Sequence, residues 1–113
     1  MEETKKFIGK KILYLITQTK WGGAQKYVLE LAEYFSKNNE VHIAYGEVSK
    51  TNQQFLDTCH KLNIKTIPIK YLIRNIDMSN EFLATKEIAK LLNKGNYNIV
   101  HLNSSKAGAV GSL

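Results

Sequence analysis

Short apolar segments rich in strand-forming residues alternate with segments of helical periodicity along this chain of 113 residues. The first apolar segment, residues 11–17, is continuous and shows no alternation with polar residues, which is typical of a strand buried on both faces. Further strands are predicted at residues 41–46, 65–69 and 98–102. Strands that alternate with helices favour a parallel sheet with helices on both faces.

Helical periodicity marks the connections between these strands. Apolar residues recur every three to four positions over residues 24–37, 55–62 and 80–92. Asparagine tolerates the left-handed conformation, so Asn38-Asn39 and Asn63 are expected to end the first two helices, and Gly95 the third. A fourth helix is predicted to begin near residue 104.

The single proline of the chain, Pro68, lies in the third predicted strand. It cannot donate a ladder hydrogen bond, so this strand is expected at a sheet edge. With right-handed crossovers, the favoured strand order is 3-2-1-4. The predicted fold is a three-layer, Rossmann-like α/β domain at residues 11–113, which follows a charged lead-in at residues 1–10. The order reverses between the first and fourth strands. Ligands of such sheets bind at the reversal, above the carboxyl ends of the strands, where the loops at residues 17–23 and 101–106 lie.

The charge of the chain points to anionic partners rather than to nucleic acid. The net charge is +6, and Arg74 is the only arginine among the 16 basic residues. Sequence-specific nucleic-acid recognition usually relies on the planar guanidinium group and on clustered basic residues, and these lysines are scattered. Lysines at positions 5, 6, 10 and 11 favour a peripheral, salt-sensitive contact with an acidic membrane face, with plain solvation of these side chains as the alternative.

A single cysteine, Cys59, excludes an internal disulfide and is typical of a reducing compartment. No apolar run approaches the ~20 residues that a membrane span needs, and we expect no secretory signal, so the predicted location is the cytoplasm. Cys59 lies on an apolar helix face and is expected to be buried and inert. His42 and His60 are expected to be structural or surface residues, and the spacing of His, Cys and carboxylates matches no metal site.

Gly22 and Gly23 lie between the first strand and the first helix. Glycines at such a place let a ligand approach the backbone while free helix amides face an anion. A tight turn that needs positive φ is the alternative explanation. The segment matches neither G-x-G-x-x-G nor G-x-x-x-x-G-K-[ST], and Glu47 is the nearest acidic residue to the position that binds a dinucleotide cofactor.

The second loop offers polar groups to the same crevice. Ser104 and Ser105 precede the predicted last helix, and one of them is expected to be its N-cap. The functional interpretation adds the other hydroxyl and the ammonium group of Lys106. His101, at the end of a central strand, is either a core histidine or a ligand contact. No catalytic constellation is recognisable in these loops.

Three segments follow one another in a recognisable order: WGGAQ at residues 21–25 after the first strand, NEVHI at residues 39–43, and NIVHLNSSKAG at residues 98–108. They resemble the "GGA" plus Gln or Glu, "GHEV" and "DIVHxHSSKAG" stretches of family 4 glycosyltransferases of the GT-B fold. Asn39 replaces the glycine of the second stretch. Asn103 replaces the second histidine of the third, so no role of that histidine is carried over.

The resemblance implies a transferase that uses a nucleotide sugar as substrate, with no further cofactor, in the synthesis of a surface polysaccharide or glycolipid of the cell envelope. In such enzymes the amino-terminal domain holds the acceptor and the carboxyl-terminal domain holds the donor nucleotide. The catalytic residues are not assigned. The predicted substrate-binding residues are Gly22, Gly23, His101, Ser104, Ser105 and Lys106, with the two glycines facing the donor diphosphate.

The chain ends before the further strands of the family's amino-terminal domain and before the E-x7-E-type motif of its donor-binding domain. We therefore expect a truncated acceptor-side part of a larger enzyme, inactive alone and prone to self-association through its fourth strand. The alternative is a stand-alone flavodoxin-like module that binds an anionic or phosphate-containing ligand. A response-regulator version is disfavoured, because Gln18 and Thr19 stand where a receiver domain has acidic residues.

Overall fold

The computed structural model describes residues 9–73 and 78–102, with backbone only at residues 78–80. Its strands and helices are β1 (Lys11–Ile16), α1 (Gly23–Ser36), β2 (Glu40–Tyr45), α2 (Gln53–Lys61), β3 (Lys65–Pro68), α3 (Met78–Gly95) and β4 (Ile99–Leu102). All strand pairs are parallel, and the sheet order is β3-β2-β1-β4. The predicted α/β fold and strand order are confirmed. The helix predicted near residue 104 lies outside the described residues.

The continuous apolar run of β1 is explained by its central place in the sheet. Residues 12–16 are all buried, since β1 pairs with β2 on one side and β4 on the other and is covered by helices on both faces. Successive side chains of a strand point to opposite faces. Tyr14 therefore joins a core with α1 and α2, whereas Leu13 and Leu15 join a second core with Ala84 and Ile88 of α3.

The edge position predicted for β3 is confirmed. Pro68 lies opposite Tyr45 at the end of the ladder with β2, and β3 has no second neighbour among the strands described. The next backbone donor, the N–H of Ile69, bonds to the carbonyl oxygen of Tyr45 at 2.8 Å. The missing proline donor therefore faces away from the sheet, where it costs no ladder hydrogen bond.

The ends of the helices agree with the sequence at two places and differ at one. Asn63 follows α2 with φ 59°, as predicted, and α3 ends at Gly95, followed by Asn96 at φ 51°. The left-handed end predicted at Asn38-Asn39 is wrong, since neither residue has positive φ. The Nδ2 of Asn39 instead donates to the carbonyl oxygen of Phe35 at 2.9 Å, so a side chain satisfies the helix end.

Strand β4 is the least covered strand. Val100, His101 and Leu102 are exposed, and Ile99 is half-buried. Within residues 9–73 and 78–102, β4 pairs only with β1, which leaves its outer edge open. No helix in this part of the chain combines the length and the apolar character needed to cross a membrane.

Candidate functional site

The carboxyl ends of β1, β2 and β4 meet at one edge of the sheet. Leu15 of β1 lies opposite Ala44 of β2 on one side and opposite Leu102 of β4 on the other. The loop after β1 and the chain leaving β4 therefore start side by side, at the point where the strand order reverses. This is the edge at which ligands of open parallel sheets bind.

The loop at residues 17–22, here called the glycine loop, is fixed to the start of α2. The hydroxyl oxygen of Thr19, a fully buried residue, accepts a hydrogen bond from the backbone N–H of Asn52 at 2.6 Å. Asn52 is the N-cap of α2, and its side chain accepts from the N–H of Phe55. The ring of Trp21 meets that of Phe55 edge-on, with 6.0 Å between centroids. The glycine loop is thus held in place before any ligand arrives.

Gly22 is the N-cap of α1 and has extended backbone, with φ −173° and ψ 178°. The alternative of a tight turn with positive φ is therefore wrong. Glycine is favoured here for lack of space, because a Cβ atom at this position would lie 3.1 Å from Oε1 of Gln25. The Gln25 side chain is buried and its Nε2 donates to the carbonyl oxygen of Gln18 at 3.0 Å, which holds it over the loop.

Gly23 is the first residue of α1, and a Cβ atom built there would meet no atom of residues 9–73 and 78–102 within 4 Å. The amino end of α1 carries no side-chain cap and no acidic residue in its first turn. Its first amide groups and the positive end of the helix dipole therefore lie at the carboxyl edge of the sheet, without a side-chain cap from the described residues. Such a helix end attracts an anion.

His101 projects from β4 on the same face as Tyr14 of β1, its register partner. The two rings lie 5.3 Å apart between centroids, and His101 is exposed, so the core-histidine alternative is wrong. Burial, with a smaller effect of Tyr27, raises the pKa of the Tyr14 phenol, which keeps it uncharged near neutral pH. These residues line a groove of ≈ 240 Å³ between α1 and β4, together with Ile12, Leu31, Phe35 and Ile99.

The structure describes three of the six predicted site residues: Gly22 and Gly23 follow β1 at the carboxyl edge, and His101 lies one residue before the end of β4, beside Tyr14. That the three form one cleft stays a prediction. Ser104, Ser105 and Lys106 lie outside the described residues, and their place in the cleft stays a prediction. Because β4 ends at Leu102, the chain leads toward these residues from the edge that holds the glycine loop.

Sequence reasoning gave Glu47 no role, yet the structure holds it at the same edge. It follows β2 in the left-handed region, with φ 48°, and only 8% of its surface is exposed. Its backbone N–H donates to the carbonyl oxygen of Leu72 at 2.7 Å. The sequence feature that could have pointed to Glu47 is its place after Gly46, directly behind a buried strand.

The cysteine and the other two histidines lie away from the glycine loop. Cys59 is fully buried, as expected, and burial raises the pKa of its thiol to about 12. His60 is exposed, and His42 is buried between Glu40 and Tyr97 at the opposite edge of the sheet. Over the described ranges, no three His, Cys, Asp or Glu side chains converge as metal ligands would.

Comparison with known proteins connects this geometry to a family. The family model of Glycosyltransferase Family 4 matches residues 21–113. No functionally curated protein matches the chain. Among solved structures, the chain is similar to the crystal structure of Anabaena Alr3699/HepE in complex with UDP and glucose, with a TM-score of 0.62 and 21% identity over 91% of this chain and 26% of that chain. It is also similar to the structure of Alr3699/HepE in complex with UDP-glucose, with a TM-score of 0.63 and 15% identity over 91% of this chain and 25% of that chain. These likenesses support the fold, and the chain spans about a quarter of the length of these solved structures.

Proposed function

Because the chain belongs to Glycosyltransferase Family 4, we propose that it is the acceptor-side part of an enzyme that transfers a sugar from a nucleotide-sugar donor. The proposed acceptor is a polysaccharide or lipid-linked glycan of the cell envelope. The structures of Alr3699/HepE hold UDP with glucose, or UDP-glucose, which supports this class of donor. The family match favours this enzyme over a stand-alone flavodoxin-like module.

The observation that carries the proposal is the uncapped amino end of α1 at the carboxyl edge of the sheet. When a sugar leaves a nucleotide sugar, negative charge grows on the departing diphosphate. Backbone amide groups that already point at this place stabilise that charge without reorganising. The free space at Gly23 lets phosphate oxygens approach the backbone closely. The contacts of Thr19 and Gln25 keep the glycine loop in position for this task.

We place the acceptor beside the glycine loop, between His101 and the predicted residues Ser104, Ser105 and Lys106. The exposed imidazole of His101 can hydrogen-bond to a sugar hydroxyl, and the adjoining groove offers the aromatic rings of Tyr14 and Tyr27. Holding donor and acceptor together supplies several kcal/mol of the barrier by positioning alone. The chain therefore needs the donor-binding domain for transfer, and alone it is expected to be inactive.

The proposed place of action is the cytoplasmic face of the membrane, where lysines at positions 5, 6, 10 and 11 give a peripheral contact. Each basic residue near an anionic surface contributes roughly 1 kcal/mol, and salt screens this attraction. Co-sedimentation with liposomes should therefore require anionic lipid and weaken as salt rises. Binding that is independent of both contradicts this part of the proposal.

Kinetics of the full-length enzyme test the role of the glycine loop. Gly23→Val fills the free space at the amino end of α1, and kcat/KM should fall about tenfold to a hundredfold, as when a preorganised donor of hydrogen bonds is lost. Ala89→Val is the matched control, since it also places a valine at an exposed helix position, in α3 and away from the amino end of α1. Both variants are compared at equal folded fraction. An unchanged kcat/KM for Gly23→Val refutes the proposed contact with the donor.

A further inference from the structure

A second groove lies at the opposite edge of the sheet, where β1, β2 and β3 begin. This basic groove has a volume of ≈ 380 Å³ and is lined by Lys11, Lys65 and Lys94, with His42 and Tyr97 beside them. The three lysines come from the start of β1, the start of β3 and the last turn of α3. The topology therefore brings together cations that are far apart in the sequence.

No acidic side chain lines the basic groove within the described part of the chain. The Nζ of Lys11 lies 3.7 Å from a carboxylate oxygen of Glu40, which stands outside the groove. Lys65 and Lys94 form no ion pair with any residue described. Because Lys11 is paired with Glu40, the excess positive charge of the groove comes from Lys65 and Lys94, and it attracts an anion.

A chain of hydrogen bonds lies beside these lysines. The Nε2 of His42 lies 2.7 Å from a carboxylate oxygen of Glu40, and its Nδ1 lies 2.6 Å from the hydroxyl oxygen of Tyr97. In neutral His42, Nε2–H donates to the carboxylate and Nδ1 accepts from the Tyr97 hydroxyl. In protonated His42, Nδ1–H donates to the Tyr97 oxygen instead, which frees the hydroxyl hydrogen for an acceptor in the groove.

We propose that the basic groove is a binding site for a phosphate ester, separate from the predicted substrate cleft. Lys11, Lys65 and Lys94 surround the phosphate group, because a dianion offers several oxygens to several cations at once. The organic part of the ester packs against the apolar wall of Ile67 and Leu91. A free phosphate ester and a phospholipid headgroup share this chemistry.

The ionisation of His42 gives the site a built-in reporter. Burial lowers the pKa of His42, the charges of Lys11 and Lys65 lower it further, and Glu40 raises it. An anion in the basic groove opposes the two lysine charges and favours the protonated imidazole. Tyr97 and Lys94 are the other titratable groups among the residues that line the groove with His42. Occupation of the site should therefore raise the pKa of His42.

The test is an NMR titration of the His42 imidazole in the full 113-residue chain, with inorganic pyrophosphate and phenyl phosphate as probes. Saturable binding is expected, together with an upward shift of the His42 pKa. Lys65→Gln and Lys94→Gln should each weaken binding about threefold to tenfold, since each removes one charged contact at an exposed residue. Lys86→Gln is the matched control, because Lys86 is an exposed lysine of α3 that neither lines the basic groove nor lies at the amino end of α1.

Vesicles of phosphatidic acid, compared with vesicles of phosphatidylcholine, identify the source of the phosphate. Vesicle binding that Lys65→Gln and Lys94→Gln weaken supports a headgroup, and binding of the soluble esters alone supports a free ester. The proposal is overturned if neither probe class binds, or if Lys86→Gln weakens binding as much as the groove variants. Circular dichroism of each variant ensures that only folded protein is compared.

Discussion

Replacing Gly46 with alanine should destabilise the fold, because the residue directly after β2 is enclosed by backbone. A methyl group at Gly46 would lie 2.6 Å from the carbonyl oxygen of Thr17 and would also overlap the carbonyl oxygen of Leu72. Neither atom belongs to a flexible side chain that could turn aside. The same segment forms two hydrogen bonds, from the N–H of Gly46 to the carbonyl oxygen of Ile16 at 3.0 Å and from the N–H of Glu47 to that of Leu72 at 2.7 Å.

The expected cost follows from these contacts. Overpacking of this kind costs about 1–3 kcal/mol, and displacing the backbone weakens hydrogen bonds worth about 1 kcal/mol each. We therefore expect Gly46→Ala to lower the free energy of unfolding by about 2–4 kcal/mol. With a urea dependence of about 1–2 kcal/mol per M for a small domain, the unfolding midpoint should fall by about 1–4 M.

Gly23→Ala is the matched control for Gly46→Ala. The position is helical and open, so the methyl group meets nothing, and alanine is the better helix former by up to about 1 kcal/mol. Urea unfolding followed by circular dichroism should therefore show an unchanged or raised midpoint for Gly23→Ala. Equal midpoints for the two variants would refute the enclosure of Gly46.

Three further outcomes are expected. With a thiol pKa of about 12, Cys59 should not react with a thiol reagent at pH 8 until urea unfolds the chain; rapid labelling of the native protein contradicts its burial. The pKa of His42 lies below its ordinary value of 6.5 in the folded state, so the unfolded state binds more protons. The contribution of His42 to stability is present above pH 6.5 and is lost as the pH falls through the folded pKa. Between pH 7 and pH 5, the free energy of unfolding should therefore fall less for His42→Gln than for the natural chain. Equal decreases contradict this. Finally, the open edge of β4 should make the chain self-associate, and Leu102→Lys should reduce the mass measured by light scattering; a monomer at high concentration refutes the idea.

The order of the sheet was predictable because it depends on local signals. The uninterrupted apolar run of β1 requires cover on both faces, and Pro68 excludes β3 from a central place. Asn63 ended α2 as predicted for the same reason, since its backbone conformation depends on the residue type itself. Where one residue's own chemistry decides the outcome, the sequence is sufficient.

The prediction was wrong where a side chain takes over a task expected of the backbone. Asn39 satisfies the end of α1 with its amide group rather than with left-handed backbone. Gly22 makes room for the side chain of Gln25 rather than for a turn. Both outcomes depend on where a neighbouring side chain packs, which residue preferences do not report.

Contacts between residues far apart in the chain could not be predicted from the sequence. Thr19 and Asn52, which fix the glycine loop to α2, are 33 positions apart. His42 and Tyr97 in the basic groove are 55 positions apart. No local pattern marks either pair, because each forms only when the crossover connections bring their strands and helices together.

The two neighbours of β1 in the sheet, β2 and β4, are separated from it by connections of different length. At the start of β1, Lys10 bonds to Asn39 across 29 positions, whereas Lys11 bonds to Asn98 across 87. A loop three times as long costs about 1 kcal/mol more to close. During synthesis on the ribosome, β1, β2 and β3 can therefore assemble while β4 is still being made. We expect a nascent chain to expose one flank of its central strand until β4, which begins at Ile99, has been translated.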